Sequence, residues 1–477
     1  MINIGQAEML EKLERGFNPR NVAVVGAARH NQFRWLKCQI PFRDNFGKLF
    51  HVNVDKDEWP GAEELGVPNY MSLLDIPDEI DYVTISVPRQ IVPRILEDCV
   101  KKGVAVAHVF AAGFGEIDEE EGRRLDGVVK QIAEAGNLAV IGPNCMGLYN
   151  GAKGIRQDHN QIALEPGYMG YISQSGSQAI GFTMEAASQG VPTSMCFSMG
   201  NGLVLDIHDY VDYLAQDDAT KVIGMFAEGP RDPVRFFQSL EEATKKKPVL
   251  VWKMGQTEDA ARATEAHTGT PYLRAELWDQ LMARSGATAV NSVEELIDTA
   301  KALTMLRPAT GTKLGILAAT GGHSTEMANV FSKQGFRCVP LTDRSYERLA
   351  SFFNLIGGNY VNPIQGSGDR FGDIVEILAE DENLDVVTVE LSASRLVADE
   401  AYLNERIAIL QKFQRESSKA LLTIVTTSFP RVESSSLEAL DKKFSAAGIP
   451  IFYTFQRGAQ ALKNAVAWHS VQAYIGT

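Results

Sequence analysis

Among the eight histidines of the sequence, His267 has the setting most useful for chemistry: Glu265-Ala266-His267-Thr268-Gly269-Thr270, preceded by the small residues Ala260, Ala261 and Ala263. Those small residues place the histidine on an adaptable loop. A neutral imidazole, with a pKa near ~6.5, is a competent nucleophile toward phosphorus around neutral pH. The plainer alternative is a histidine that is merely solvated or hydrogen-bonded. Glu228 follows the apolar run Val222-Ile223-Gly224-Met225-Phe226-Ala227 and precedes Gly229-Pro230-Arg231-Asp232. It therefore stands at the edge of a sheet where ligands bind. If it meets His267, it can accept from one ring nitrogen and fix the tautomer; otherwise it is a solvated loop carboxylate.

Three further turns carry small or polar residues after apolar runs. Ser173-Gln174-Ser175-Gly176-Ser177 leads into a helical pattern. Hydroxyls and free N–H groups converging there can cradle phosphate, or the serine can simply cap the helix. Gly26-Ala27-Ala28-Arg29 follows the first run, where a glycine lets backbone approach a phosphate or ribose, or only makes a tight turn. The later glycines of a dinucleotide fingerprint are absent, replaced by residues 30–34, which speaks against a nicotinamide-dependent dehydrogenase. In Ile141-Gly142-Pro143-Asn144-Cys145-Met146-Gly147 one proline fixes a torsion and two glycines permit unusual ones. Asn144 can donate to an anion there, or the turn is a crossover between domains.

The elements that must hold these turns are legible as recurring apolar runs. Val22-Ala23-Val24-Val25, Tyr82-Val83-Thr84-Ile85, Val104-Ala105-Val106-Ala107 and Leu138-Ala139-Val140-Ile141 read as buried parallel strands. Between them lie stretches of helical spacing such as residues 91–102. A second series runs through Tyr171-Ile172-Ser173, Met195-Cys196-Phe197 and Val249-Leu250-Val251-Trp252; a third begins at Leu314-Gly315-Ile316-Leu317. The proline and glycine of residues 307–311 make a linker between the last two. This alternation predicts an α/β protein of three tandem, doubly wound domains at 1–148, 149–306 and 312–477.

Composition bounds the chemistry. With 45% hydrophobic and 22% charged residues in 477, the chain has the make-up of a globular protein with a large core. A formal charge of −14 without a long basic run argues against nucleic acid. The opening stretch, with Glu8, Glu11, Lys12, Glu14 and Arg15, reads as an amphipathic helix and not a signal peptide, and no apolar run reaches membrane-spanning length. Five scattered cysteines without paired spacing suit reduced thiols in cytoplasm, and no metal site is assigned.

Taken in order, these turns resemble the alpha portion of the NDP-forming acyl-CoA synthetases, the superfamily of succinyl-CoA synthetase, over nearly the whole chain. The most specific blocks are Gly142-Pro143-Asn144-Cys145-Met146-Gly147 and His267-Thr268-Gly269; Asn362-Pro363 and Ala446-Ala447-Gly448-Ile449-Pro450 match the third domain. The resemblance implies an N-terminal Rossmann-like CoA-binding domain followed by two flavodoxin-like domains. It implies that Gly26, Ala27, Ala28, Asn53, Lys56, Ser86, Val87, Pro88, Ala112 and Gly113 line the CoA site. His267 matches the phosphorylated histidine, Glu228 the acid that steadies it, and Ser175, Gly176 and Ser177 the helix start facing phosphate; Asn144 and Cys145 line the floor of the acyl pocket.

The implied reaction joins a small carboxylate to CoA through phosphohistidine and an acyl phosphate. The resemblance implies that ATP, ADP and Mg²⁺ are held by an ATP-grasp beta subunit, the expected assembly being α2β2. The chain departs from the family at residues 30–34, at Thr270-Pro271-Tyr272-Leu273 and at Gly321-Gly322-His323-Ser324, which stands where a glycine-proline turn is usual. A related acyl or carbamoyl transferase working without ATP, and a non-catalytic CoA sensor, are the alternative readings; the retained His267 argues against the first, and a sensor has no need for both Glu228 and His267.

Overall fold

The computed structural model describes residues 5–117, 119–268, 274–366, 368–427 and 432–475. Each series of apolar runs folds into its own sheet. The first contains β1 (Asn21–Val25), β2 (Lys48–Val52), β3 (Asn69–Tyr70), β4 (Tyr82–Ile85), β5 (Val106–Val109) and β6 (Ala139–Ile141), in the order β3-β2-β1-β4-β5-β6. All neighbours are parallel. This is the order of a dinucleotide-binding fold, with its switch point between β1 and β4.

The strands are apolar along their length because helices cover both faces of the sheet. The helix Val92–Lys102 shows how such covers form: Val92, Leu96 and Cys99 recur on one face and are buried, Lys101 and Lys102 complement the last turn, and Gly103 ends it at φ 72°.

The second sheet is built from β7 (Gly147–Asn150), β8 (Met169–Ser173), β9 (Thr193–Ser198), β10 (Val222–Ala227), β11 (Val249–Lys253) and β12 (Thr288–Val290), ordered β12-β11-β10-β8-β9-β7. Apart from β7, which runs antiparallel to β9, this is a flavodoxin-like order with the switch point between β8 and β10. The third sheet holds β13 (Lys313–Ala318), β14 (Arg337–Cys338), β15 (Ile364–Gln365), β16 (Val386–Ser392), β17 (Ala420–Thr426) and β18 (Ile451–Phe452). Its order β14-β13-β16-β17-β18, with β15 also on β13, repeats the flavodoxin-like pattern and puts its switch point between β13 and β16.

By its contacts the chain forms two compact units, residues 1–187 with 192–291, and 188–191 with 292–477. In the first, aromatic side chains knit the first two sheets into one core: the rings of Phe17 and Phe197 lie 4.5 Å apart. In the second, the helix Val293–Met305 packs with the third sheet, although the sequence groups it with the preceding series. Its buried polar face explains the difference. Lys301 pairs with Asp441 at 3.1 Å, Asp298 with Arg457 at 2.6 Å, and Thr299 accepts from Asn464 at 3.0 Å. Among the described residues no helix is long and apolar enough to cross a membrane.

Candidate active site at the switch point of the second sheet

Glu228 is the first residue after β10 and is only 3% exposed at its side chain. Burying a carboxylate is costly unless its oxygens are paired. Both are: Oε1 lies 2.7 Å from His267 Nδ1, and Oε2 accepts from Thr268 Oγ1 at 2.5 Å. An ionised carboxylate only accepts, so the proton sits on Nδ1 and the lone pair on Nε2. The His267 side chain is 49% exposed, which leaves that lone pair open to an incoming phosphoryl group. The hydrogen bond that His267 donates to Glu228 raises the His267 pKa above its ordinary value, against an opposing contribution from burial.

His267 is not on a loop. It occupies the last turn of the helix Glu258–Thr268. The small residues before it are alanines, the best helix formers. Thr257 starts the helix by accepting from the Ala260 N–H at 3.2 Å, and Glu258 and Asp259 complement its first turn. Gly269, Thr270, Pro271, Tyr272 and Leu273 lie outside the described residues.

Two side chains unmarked in the sequence hold Glu228 in place. Gln174, after β8, accepts from the backbone N–H of Glu228 at 2.7 Å and of Gly229 at 2.9 Å, and donates to the Gly229 carbonyl at 2.9 Å. This amide spans the switch point. Lys253, at the end of β11, donates to the carbonyls of Glu228 and Met254 and sits 5.0 Å over the Trp278 ring. Its burial lowers the ammonium pKa to about 8, opposed by Glu228. The signal for Gln174 was its place inside the serine-rich turn; for Lys253 it was a cation closing an otherwise apolar strand.

Ser175, Gly176 and Ser177 lie directly after Gln174, at the start of the helix Gly176–Ser188. Ser173 Oγ accepts from the Ser175 N–H at 3.1 Å, and the hydroxyls of Ser175 and Ser177 are 3.2 Å apart. The N-terminal amides of a helix of this length favour an anion.

Asn144 has φ 59°, and its backbone N–H donates to Ala111 O at 2.9 Å. Its side chain donates to Asn201 Oδ1 at 3.3 Å. Asn201 in turn donates to Glu116 at 2.6 Å, so the turns after β6 and β9 are tied together. Cys145 points the other way. It is 4% exposed within the core, its thiol 3.6 Å from Val109 O and its pKa pushed well up by burial. Its side chain therefore faces packed protein, not an open pocket, and Asn144 is the member of the pair whose side chain lies among polar groups.

The residues expected to meet CoA gather beyond the carboxyl ends of β1, β2, β4 and β5. Gly26, at φ 86°, packs so closely on the strand beside it that a Cβ would stand 2.4 Å from Ser86 O and 2.6 Å from Val87 Cγ1. Glycine is thus required to bring the turn after β1 against Ser86 and Val87 at the switch point, with Pro88 next along the chain. Asn53 donates to Ala27 O at 3.0 Å, and Lys56 lies 5.4 Å over the Trp59 ring.

Two nearby sets of amides already hold carboxylates. Arg29 N–H donates to Glu58 at 2.8 Å, while Gly113 and Phe114 N–H donate to Glu116 at 2.5 and 3.0 Å. Ala112 precedes that second set. The Ala28 N–H is likewise taken, by Asn31 Oδ1 at 3.0 Å. Among the described residues no cluster of three or more His, Cys, Asp or Glu side chains is placed to hold a metal.

Residues 20–151 match the family model of a CoA binding domain, and residues 166–303 that of a succinyl-CoA ligase like flavodoxin domain. The chain is 31% identical over 382 residues to the acetate–CoA ligase [ADP-forming] II subunit alpha of Pyrococcus furiosus, covering 79% of this chain and 81% of that one. It is 33% identical over 386 residues to acetate–CoA ligase [ADP-forming] I of Archaeoglobus fulgidus, covering 80% of this chain but spanning 55% of that longer protein. In fold it matches, at a TM-score of 0.84 and 24% identity, a dinucleotide-forming acetyl-coenzyme A synthetase of Candidatus Korarchaeum cryptofilum, over 97% of this chain and 98% of that one. With an alpha subunit matched over most of both lengths, and a Rossmann-like sheet followed by a flavodoxin-like one, the chain belongs to the ADP-forming acyl-CoA ligases.

Proposed function

We propose that this chain is the alpha subunit of an acyl-CoA synthetase that makes an acyl-CoA from a small carboxylate, CoA and ATP, with the phosphoryl group carried on His267. The observation that supports it is the Glu228 to His267 contact of 2.7 Å, with a buried carboxylate on Nδ1 and an accessible Nε2. In the first transfer the Nε2 lone pair attacks the terminal phosphorus, the bond to the leaving ADP oxygen breaks, and the ring carries positive charge that Glu228 neutralises. A carboxylate oxygen then takes the phosphoryl group and Nε2 recovers its lone pair. The CoA thiolate finally displaces phosphate from the acyl phosphate, a far better leaving group than oxide. Ser175, Gly176 and Ser177 hold the phosphoryl oxygens, and Asn144 orients the acyl group.

On this reading CoA lies along the first sheet, against Gly26, Ala27, Ala28, Asn53, Lys56, Ser86, Val87, Pro88, Ala112 and Gly113. A cytoplasmic ATP-grasp beta subunit brings the nucleotide with Mg²⁺, in an α2β2 complex, and each step is reversible. The test is a labelling assay with γ-labelled ATP, Mg²⁺ and the coexpressed complex, comparing wild type with His267→Ala. Acid-labile label that requires His267, and that a carboxylate with CoA discharges, is the expected result. Absence of label in wild type overturns the proposal in favour of an ATP-independent transferase or a CoA sensor.

A further inference from the structure

The third sheet carries a second histidine–carboxylate pair at its own switch point. Glu390 lies in β16 and His323 in the first turn of the helix Gly321–Lys333 that follows β13. Glu390 is 1% exposed, and its Oε1 stands 2.6 Å from His323 Nδ1. The carboxylate is fixed by further donors: Ala319 N–H to Oε2 at 2.8 Å and Thr426 Oγ1 to Oε1 at 3.0 Å. As at Glu228, an acceptor-only carboxylate puts the proton on Nδ1 and the lone pair on Nε2. Nε2 makes no hydrogen bond among the described residues, and the side chain is 32% exposed. The Phe455 ring, 5.5 Å away at 70°, limits how the imidazole can turn.

The surroundings suit a phosphoryl group. Thr320 accepts from the His323 N–H at 3.2 Å, leaving the preceding amides of Gly321 and Gly322 directed out of the helix start. Space beside Gly322 is open: a Cβ there would meet nothing nearer than Thr320 Oγ1 at 4.0 Å. The pair is not a copy of the first, since His267 comes from the helix after β11 and His323 from the helix after β13. Two different routes through the same topology give the same histidine–carboxylate geometry.

We infer that His323 is a second phosphoryl-accepting residue of this chain, taking the group from an acyl phosphate on Nε2; this rests on the reading that the protein handles acyl phosphates. In that step the Nε2 lone pair forms the N–P bond, the P–O bond to the acyl oxygen breaks, and the carboxylate leaves with its electron pair. The proton stays on Nδ1, and Glu390 balances the positive ring. Return to a carboxylate reverses each change, so no other reactant is needed.

The experiment uses the complex of this chain with its coexpressed partner and ³²P-labelled acetyl phosphate, followed by tryptic mapping at neutral to alkaline pH. His323 is the sole histidine of peptide 314–333, and His267 of peptide 263–274. The expected result is acid-labile label on both peptides in wild type. It should be lost from 314–333 alone in His323→Gln and reduced there by roughly tenfold or more in Glu390→Gln. Retained label on 263–274 shows that the variants are folded. Label on 263–274 only, in wild type, overturns the inference and leaves the proposed function standing. No label on either peptide removes both.

Discussion

Gln174 and Glu228 are 54 residues apart in sequence, yet the Gln174 side-chain oxygen lies 2.7 Å from the Glu228 backbone nitrogen. The contact crosses from β8 to β10, where the chain reverses its direction of winding. It holds the backbone of the acid while leaving both carboxylate oxygens to Thr268 and His267. The acid is thus oriented by two parts of the chain, Gln174 on its backbone and the helix Glu258–Thr268 on its carboxylate.

Glu228→Gln keeps the shape of the side chain but removes the charge that balances a phosphorylated ring. The rate of labelling of His267 is expected to fall roughly 10–100-fold, with secondary structure unchanged by circular dichroism. Thr268→Val, which removes one donor and leaves the charge, should have a smaller effect. Equal effects would show that the carboxylate's charge is unimportant.

The His267 pKa is raised, first by the hydrogen bond it donates to Glu228. Its reactive form is neutral, so labelling should rise with pH through a midpoint above the ordinary value of about 6.5. The stability linked to this pair has the opposite trend: it is fully present below that ordinary value and is lost as pH rises through the raised one. Titration of the ring C–H signal by NMR gives the midpoint, and Glu228→Gln should move it down. A midpoint unchanged by that substitution contradicts the assignment of cause.

Lys253 has its pKa pushed down from 10.5 to about 8, chiefly by burial. Between those values the unfolded chain binds more protons than the folded one, so the lysine's contribution to stability rises with pH across that window. Lys253→Met should flatten this part of the pH profile in urea unfolding. Leaving the two carbonyls of Glu228 and Met254 without their donor should cost about 1–3 kcal/mol.

Lys301 and Asp441 form an ion pair in the second unit at side-chain exposures of 2% and 4%. Lys301→Met strands a buried charge and should destabilise that unit by roughly 3–5 kcal/mol. Lys301→Met combined with Asp441→Leu should recover most of the loss, because no buried charge is then left unpaired and the Tyr453 hydroxyl keeps its bond to the Leu437 carbonyl at 3.1 Å. A double variant no more stable than the single one would count against desolvation as the cause.

Gly26→Ala forces a Cβ into the Ser86 carbonyl from a left-handed backbone. The backbone conformation alone costs about 1–2 kcal/mol, and the displaced turn should weaken CoA binding by roughly tenfold, the equivalent of about 1.4 kcal/mol. Isothermal titration of the complex with CoA checks this; unchanged affinity would place CoA elsewhere than at the end of β1.

Residue order alone determined the α/β class, the three series of strands, and Glu228 and His267 as the pair to watch. Those signals are local: an apolar run needs two covered faces, and a turn needs its glycine or proline wherever the chain goes. The helix under His267 was also locally encoded, in alanines that a loop reading undervalued. What only the tertiary structure decided depends on which strands become neighbours. The antiparallel β7, the hold of Gln174 and Lys253 on Glu228, the burial of Cys145 and the docking of Val293–Met305 on the third sheet's unit all follow from contacts between distant residues. His323 was visible as an odd residue in a glycine turn, but its meaning required Glu390, 67 residues on, to come within 2.6 Å. Spacing along a chain carries no record of that distance; the winding of a sheet sets it.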